Sequence, residues 1–75
     1  MENTASFDFD ELVRAWPSPL VARKEVSRFS GGLLSPRTMA NLDSQKKGPE
    51  RVRVGGRTAY PTRALADWLR NRSKN

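Results

Sequence analysis

Cysteine and histidine are both absent from this chain of 75 residues. Without cysteine the chain can form neither a disulfide framework nor a thiolate metal site, and without histidine the commonest general base is missing. No apolar run approaches the roughly 20 residues that a membrane-spanning helix needs. We therefore expect one small domain that is not an enzyme, binds no metal or cofactor and does not cross a membrane.

Charge is distributed unevenly along the chain. The formal total is +6, from 14 basic and 8 acidic residues. Residues 1–20 hold four acids and one arginine, which sum to −3, so the remainder carries +9. An acidic start differs from a secretory signal peptide, which opens with positive charge, and it predicts a cytoplasmic protein. The basic remainder favours a polyanionic partner, which composition leaves open among DNA, RNA and a membrane surface, or it serves solubility.

The acidic segment, residues 1–19, is predicted to form one short helix and a linker. Asp8 is a suitable N-cap, and Glu11 lies at the position that completes a capping box. Pro17-Ser18-Pro19 ends the helix and forms a stiff linker. The helix, residues 9–15, either packs onto the rest of the domain or serves as an arm for a partner. Its apolar stripe consists of Phe9, Leu12, Val13 and Trp16.

Two helices joined by a glycine-containing turn are predicted next. The first covers residues 22–29 and ends at Ser30-Gly31-Gly32. The second begins after Ser35, an N-cap followed by proline at the first helical position, and Lys46-Lys47-Gly48-Pro49 ends it. Its outward side chains are Arg37, Thr38, Asn41 and Gln45.

Residues 51–60 have the pattern of a β-hairpin. RVRV alternates with period two, and Gly55-Gly56 suits a type I′ turn, which needs a positive φ at both central residues. This turn pairs Val54 with Arg57. We predict that one face, with Val52, Val54 and Ala59, belongs to the core and carries Arg57 at its tip. The opposite face is predicted to be the basic one, with Arg51, Arg53, Thr58 and Tyr60.

Thr62 is predicted to cap a last helix, and residues 73–75 are predicted to form a frayed tail. Residues 20–72 then form a mostly helical α+β domain with the plan of a winged helix-turn-helix, whose second helix enters the DNA major groove. Arginine can bond guanine there, and asparagine can bond adenine. The predicted DNA-binding residues are Ser35, Arg37, Thr38, Asn41, Gln45, Lys46, Lys47, Arg51, Arg53, Gly55, Gly56 and Arg57.

The segments LSPRTMANL, KGPERVRVGGRTAYP and LADWL, in this order, resemble the MerR-type winged-helix domains of phage and integrative-element excisionases and of related prophage regulators. The resemblance covers roughly residues 20–70. The chain departs from that family in its longer turn, Ser30–Leu34, in Ala22 where a capping Ser or Thr is usual, and in Leu42 where Trp is frequent. Carried over, the groove-reading role falls on Ser35, Arg37, Thr38 and Asn41, and the wing role falls on Arg53, Gly55, Gly56 and Arg57.

What the resemblance implies is an architectural DNA-binding protein of the bacterial nucleoid. Such a protein binds double-stranded DNA near an attachment site, helps a recombinase (an integrase) to choose excision, and can associate cooperatively with further copies on DNA. A small prophage-type transcriptional regulator with the same fold is the main alternative. A protein-interaction or RNA-binding module is a third, although one tyrosine on the hairpin offers little stacking surface for RNA.

Overall fold

The computed structural model describes residues 7–73, which fold into four α-helices and a three-stranded antiparallel sheet. The predicted α+β class is confirmed at this level. Residues 1–6 and the last two residues of the predicted tail lie outside the described residues. In chain order the elements are α1 (Asp10–Ala15), β1 (Leu20–Ala22), a 3-10 turn (Arg23–Glu25), α2 (Val26–Phe29), α3 (Pro36–Ser44), β2 (Val52–Val54), β3 (Arg57–Pro61) and α4 (Thr62–Arg72).

The start of α3 follows from its local sequence, as predicted. The Ser35 hydroxyl accepts the backbone N–H of Thr38 at 3.1 Å, which satisfies one of the free N–H groups of the first turn. Pro36 occupies the first helical position, where its missing N–H costs no hydrogen bond. Met39, one turn further on, is fully buried and turns the apolar side of the helix toward the core.

The end of α3 is a Schellman motif built around a lysine. Lys46 has a φ of 61°, in the left-handed region that glycine usually occupies at this position. Its N–H bonds the carbonyl oxygen of Asp43 at 3.0 Å, and the N–H of Lys47 bonds that of Leu42 at 2.8 Å. The helix therefore ends at Ser44, and Lys46, the first residue of the predicted KKGP segment, is the left-handed residue that stops it.

Serine hydroxyls hold the long turn between α2 and α3. Ser27 donates to the carbonyl oxygen of Leu34 at 2.7 Å, and the Ser30 hydroxyl accepts the Leu34 N–H at 2.9 Å. Gly31 and Gly32 have φ values of 66° and 90°, which side chains rarely adopt. The additional length of this turn is therefore fixed by specific hydrogen bonds.

The central strand of the sheet is β3, with β1 on one side and β2 on the other. The predicted hairpin register is confirmed, because Val54 pairs with Arg57 and Arg53 pairs with Thr58. Its two turn glycines have φ values of 58° and 79°, as a type I′ turn requires.

Strand β1 corrects the predicted start of the helix over residues 22–29. The sequence predicts that this helix begins at Ala22, but residues 20–22 pair with β3 and α2 begins only at Val26. The physical reason is burial, because Val21 lies opposite Tyr60 and both are fully buried. The sheet thus has three strands where a two-stranded hairpin was predicted.

The buried face of the hairpin also differs from the prediction, although its arginines are exposed as predicted. Thr58 and Tyr60, assigned to the basic face, are buried, whereas Val54, assigned to the core, is 65% exposed. The large tyrosine ring removes more apolar surface from water than the valines near the turn could. Tyr60 therefore determines which face turns toward the helices.

Helix α1 lies against α4, as the first of its two alternatives predicts. The apolar stripe of α1 packs on the core while remaining half-buried. The indole N–H of Trp16 donates to the Leu20 carbonyl at 2.9 Å, and its ring meets Phe29 edge to face at 5.6 Å. Arg63 of α4 pairs with Asp10 at 2.7 Å, so one acidic residue of the N-terminal segment is neutralised within the fold.

Neither the predicted capping box of α1 nor the predicted cap of α4 by Thr62 forms. The Thr62 hydroxyl donates to the Ser18 carbonyl at 2.7 Å instead. The Asp8 carboxylate accepts the N–H of Asp10, two residues away, at 3.0 Å, and Glu11 pairs with Arg14 at 3.2 Å. Arg14 also contacts Asp8, and this hydrogen bond lowers the pKa of the Asp8 carboxyl. The Glu11 N–H, which a capping box would bond to the Asp8 side chain, bonds the Asp8 backbone carbonyl at 2.9 Å instead.

Within residues 7–73 no helix is long and apolar enough to cross a membrane.

A single core holds these elements together. The buried apolar residues are Val21, Val26, Phe29, Leu34, Met39, Tyr60, Leu65, Ala66 and Leu69.

Candidate functional site

The outward face of α3 carries the side chains predicted to read DNA. Arg37, Thr38 and Asn41 are exposed, and they lie at positions i, i+1 and i+4 of one helix. The Thr38 hydroxyl accepts a hydrogen bond from Ser35 at 2.9 Å, so these two hydroxyls are engaged with each other at the helix start. Gln45 is exposed at the C-cap. The side chains of Arg37 and Asn41 therefore face solvent at the accessible start and middle of the helix.

Ion pairing divides the basic residues of this chain into two groups. One group contacts a carboxylate directly, and it consists of Arg14, Arg23, Arg28, Arg51, Arg63 and Arg70. A different group makes no ion pair with any carboxylate of residues 7–73, and it contains most of the predicted DNA-binding cations: Arg37, Lys46, Lys47, Arg53 and Arg57. Their charge remains available to an external anion.

The two arginines nearest the hairpin turn, Arg53 and Arg57, lie on opposite faces. Arg53 pairs with Thr58 across the strands, and its guanidinium reaches the Thr58 hydroxyl and the Gly56 carbonyl at 3.4 Å each. Arg57 pairs with Val54, one position closer to the turn, so its side chain points to the other face. Positive charge is therefore presented on both sides of a thin, exposed hairpin tip.

Arg51 occupies a different environment from the other predicted hairpin cations. Its guanidinium lies 3.8 Å from Oδ1 of Asp43, which is only 5% exposed. Arg51 itself is nearly half exposed, so it borders both the interior and the solvent. The structure thus separates Arg51 from the unpaired cations of α3 and the hairpin tip.

Asp43 is the centre of a buried polar group that sequence reasoning missed. Its Oδ2 accepts the Tyr60 O–H and an Arg23 N–H, each at 2.6 Å. The Arg23 Nε also donates to the Tyr60 oxygen at 3.0 Å, which closes the group into a triangle. Burial raises the pKa of Tyr60, and the hydrogen bond to Asp43 acts in the same direction. The hydrogen bond to Tyr60 raises the pKa of Arg23.

The Asp43 carboxylate also explains the glycine at position 48. A Cβ on Gly48 would lie 2.1 Å from Asp43 Oδ1, far inside contact distance. Oδ1 is buried and has no hydrogen-bond donor among residues 7–73. Gly48 is therefore required for a close approach of the chain to this carboxylate, in addition to following the helix end as predicted.

A second missed residue is Lys24, in the 3-10 turn. It is exposed and makes no ion pair within residues 7–73. With Arg57 it borders an open depression of about 300 Å³, whose remaining lining residues are Ala22 and Thr58. Lys24 and the hairpin tip are therefore close in space although 33 positions separate Lys24 from Arg57 in sequence, 57 − 24 = 33. No local signal in the sequence indicates that proximity.

No group of three or more acidic residues within residues 7–73 is arranged to hold a metal ion. The Tyr60 hydroxyl, whose pKa is raised by burial, is enclosed by protein.

Comparison of the chain with protein-family profiles, with curated proteins and with solved structures found no match.

Proposed function

We propose that this protein is a sequence-specific DNA-binding protein of the winged helix-turn-helix type. The observation that carries the proposal is the division of its cations. Those of α3 and the hairpin tip, and Lys46 and Lys47 in the connection after α3 (residues 45–51), lack carboxylate partners within residues 7–73. Arg51, at the far end of that connection, and several other arginines are paired. Exposed cations without such partners match the phosphate-contacting surface of a duplex-binding protein.

In this proposal α3 is the recognition helix. A major groove about 12 Å wide admits one helix, and residues at its N-terminal part reach the base edges. Arg37 can donate two hydrogen bonds to guanine, and Asn41 can bond adenine through its amide. Both side chains are exposed and make no hydrogen bond within residues 7–73, so neither has to leave an internal partner.

The hairpin acts as the wing. The minor groove is about 6 Å wide and has a phosphate row on each side. With Arg53 on one face and Arg57 on the other, the tip can contact both rows at once. Gly55 and Gly56 carry no side chains that would widen the tip. Lys24 extends this surface from the 3-10 turn, and Lys46 and Lys47 add phosphate contacts at the end of the recognition helix.

The biological role we propose rests on the resemblance to excisionases. In that role the protein binds near an attachment site, organises the DNA and favours excision by an integrase, with copies binding cooperatively. A transcriptional regulator would use the same DNA-binding surface. An excision assay with the integrase distinguishes the two roles, because a regulator would leave the recombination products unchanged.

Fluorescence anisotropy with two labelled duplexes, each at about 50 mM and about 200 mM salt, tests the DNA-binding proposal. One duplex comes from the DNA that flanks the gene or the attachment site, and the other contains the same bases shuffled. We expect tighter binding to the genuine site, persisting at the higher salt. Equal binding to both duplexes that disappears at the higher salt would reduce the basic surface to a general polyanion patch.

Asn41→Ala tests the reading role of α3 in the same assay. We expect it to weaken binding to the genuine site by about 1–3 kcal/mol and to change binding to shuffled DNA little. Ser44→Ala is the matched control, because Ser44 is an exposed residue of the same helix whose hydroxyl bonds only the Asn41 carbonyl within residues 7–73. Equal losses on both duplexes for Asn41→Ala would mean that Asn41 does not read bases.

A further inference from the structure

We propose that Asp43, Tyr60 and Arg23 are positioning residues that set the geometry of α3 relative to the hairpin, and that this geometry controls how well the protein discriminates its DNA site. The inference rests on the proposed DNA-binding function. None of the three residues needs to touch DNA for this role.

The buried group joins elements that are distant in sequence. Asp43 is the penultimate residue of α3, Tyr60 lies in the central strand β3, and Arg23 opens the 3-10 turn. Two hydrogen bonds of 2.6 Å converge on one carboxylate oxygen of Asp43. Hydrogen bonds are directional, so this group restricts both the distance and the angle between α3 and β3. Apolar packing alone would restrict that angle less, because it is non-directional.

General stability gives no reason to place this group here. A carboxylate in the last turn of a helix faces the negative end of the helix dipole. Burying a carboxylate also costs desolvation energy that apolar side chains of similar size do not, and buried ionic groups can instead select one arrangement of the chain. Asp43 is 5% exposed and carries both costs. The property that Asp43 provides is therefore one fixed orientation of α3 relative to the hairpin.

The same carboxylate also locates the connection that carries Lys46 and Lys47. The backbone at Gly48 comes so close that a Cβ would lie 2.1 Å from Oδ1. Arg51, at the far end of this connection, lies 3.8 Å from the same oxygen. The basic connection therefore runs around Asp43, between the end of α3 and the start of the hairpin.

Discrimination should depend on this geometry more than general affinity does. Hydrogen bonds to base edges weaken steeply when donor and acceptor move apart or lose alignment, whereas phosphate contacts are numerous and independent of sequence. A small rotation of α3 relative to the hairpin would remove base contacts first. Binding to any duplex through the cations would persist.

Tyr60→Phe tests the proposal, because it removes one hydroxyl and keeps the buried ring. The readout is the ratio of the dissociation constants for shuffled and genuine duplexes, measured at a temperature where circular dichroism shows the variant fully folded. We expect the ratio to fall about tenfold, the effect of losing one good base contact, with binding to shuffled DNA and its salt slope unchanged within about twofold. An unchanged ratio, or equal weakening on both duplexes, would overturn the proposal.

Ala66→Gly is the matched control for destabilisation. Ala66 is buried in α4 and has no polar side-chain atoms, so its replacement lowers stability without altering the Asp43 group. We expect Ala66→Gly to melt at a lower temperature and to retain the wild-type ratio. If it loses the same fraction of the ratio as Tyr60→Phe, general destabilisation accounts for the effect and the proposal is wrong.

Arg23→Lys gives a second variant in case Tyr60→Phe does not fold. Lysine retains the charge but lacks the planar fork that reaches Tyr60 and Asp43 together. Because Arg23 is partly exposed, this variant perturbs the core less, and the same fall in the ratio is expected. The wild-type ratio separately tests the proposed function: a value near one would refute sequence-specific binding and the inference with it, whereas a high wild-type ratio that both variants retain would refute only the inference.

Discussion

At the residue scale, the Tyr60 hydroxyl combines full burial with contact to a carboxylate and a guanidinium. Burial disfavours the charged phenolate, and the negative charge of Asp43 does the same. Arg23 acts in the opposite direction but does not offset these effects, so the pKa of Tyr60 is raised. The proton on this hydroxyl is therefore bound more tightly in the folded protein than in the unfolded chain.

The raised pKa of Tyr60 predicts a loss of stability in alkaline solution. Its contribution is fully present below the unfolded pKa of about 10 and is lost as pH rises through the higher folded pKa. Thermal unfolding followed between about pH 8 and about pH 11 measures this loss. Tyr60→Phe is the control, since phenylalanine cannot titrate, and its melting temperature should fall less over the same range. Parallel curves for the two proteins would show that the Tyr60 proton is not linked to folding.

Several local residue roles could be predicted from the sequence and the long-range ones could not, although neither the capping box of α1 nor the cap at Thr62 forms. The Ser35 cap and the two turn glycines depend on the chain within three or four positions, and each was predicted correctly. The bonds from Asp43 to Tyr60 and Arg23 span 17 and 20 positions. Nothing in the local pattern distinguishes Asp43 from an ordinary exposed helix residue, so its burial emerges only from the fold.

At the element scale, the hairpin shows what an alternating apolar and polar pattern can predict. The pattern and the two-residue turn together predicted the strand register correctly, because the register depends on the turn. It could not identify the buried face, because both faces carry apolar groups and the choice depends on β1 and the helices. The short strand β1 was missed for a related reason. Three residues that follow Pro17-Ser18-Pro19 carry little strand signal of their own. Their partners in β3 are also distant in sequence, between 59 − 22 = 37 and 61 − 20 = 41 positions away.

The placement of Arg53 and Arg57 on opposite faces of the hairpin predicts independent contributions to DNA binding. Arg53→Ala and Arg57→Ala should each weaken binding to every duplex and lower the slope of log affinity against log salt by about 1, and the double variant by about 2. Anisotropy titrations over several salt concentrations measure these slopes.

Arg70→Ala is the control for the hairpin variants, since Arg70 is exposed but already paired with Asp67. Its slope should remain that of the wild-type protein. If removing Arg53 and Arg57 together changes the slope no more than removing Arg70 does, the hairpin does not contact phosphate.

At the scale of the whole molecule, the acidic N-terminal segment packs away from the elements that carry the proposed DNA surface. The acidic N-terminal segment sums to −3, and its helix α1 lies against α4. The proposed DNA surface is built from the 3-10 turn, α3, the connection and the hairpin, none of which is α1 or α4. An acidic helix is repelled by phosphate, so its position on α4 is consistent with a duplex that approaches from elsewhere.

The last prediction concerns this separation of charge. Asp8→Asn combined with Glu11→Gln raises the net charge by two and removes the two carboxylates that contact Arg14 within residues 7–73. The new amide at position 8 keeps an oxygen that can accept the Asp10 N–H. If α1 lies farther from the duplex than the screening length of about 8 Å in physiological salt, DNA affinity should change less than about threefold. Anisotropy on the genuine duplex measures the change, with Arg57→Ala as the comparison that removes a proposed contact. An affinity gain of about tenfold or more would instead mean that the acidic helix competes with DNA for the basic surface, which would place α1 beside the binding site.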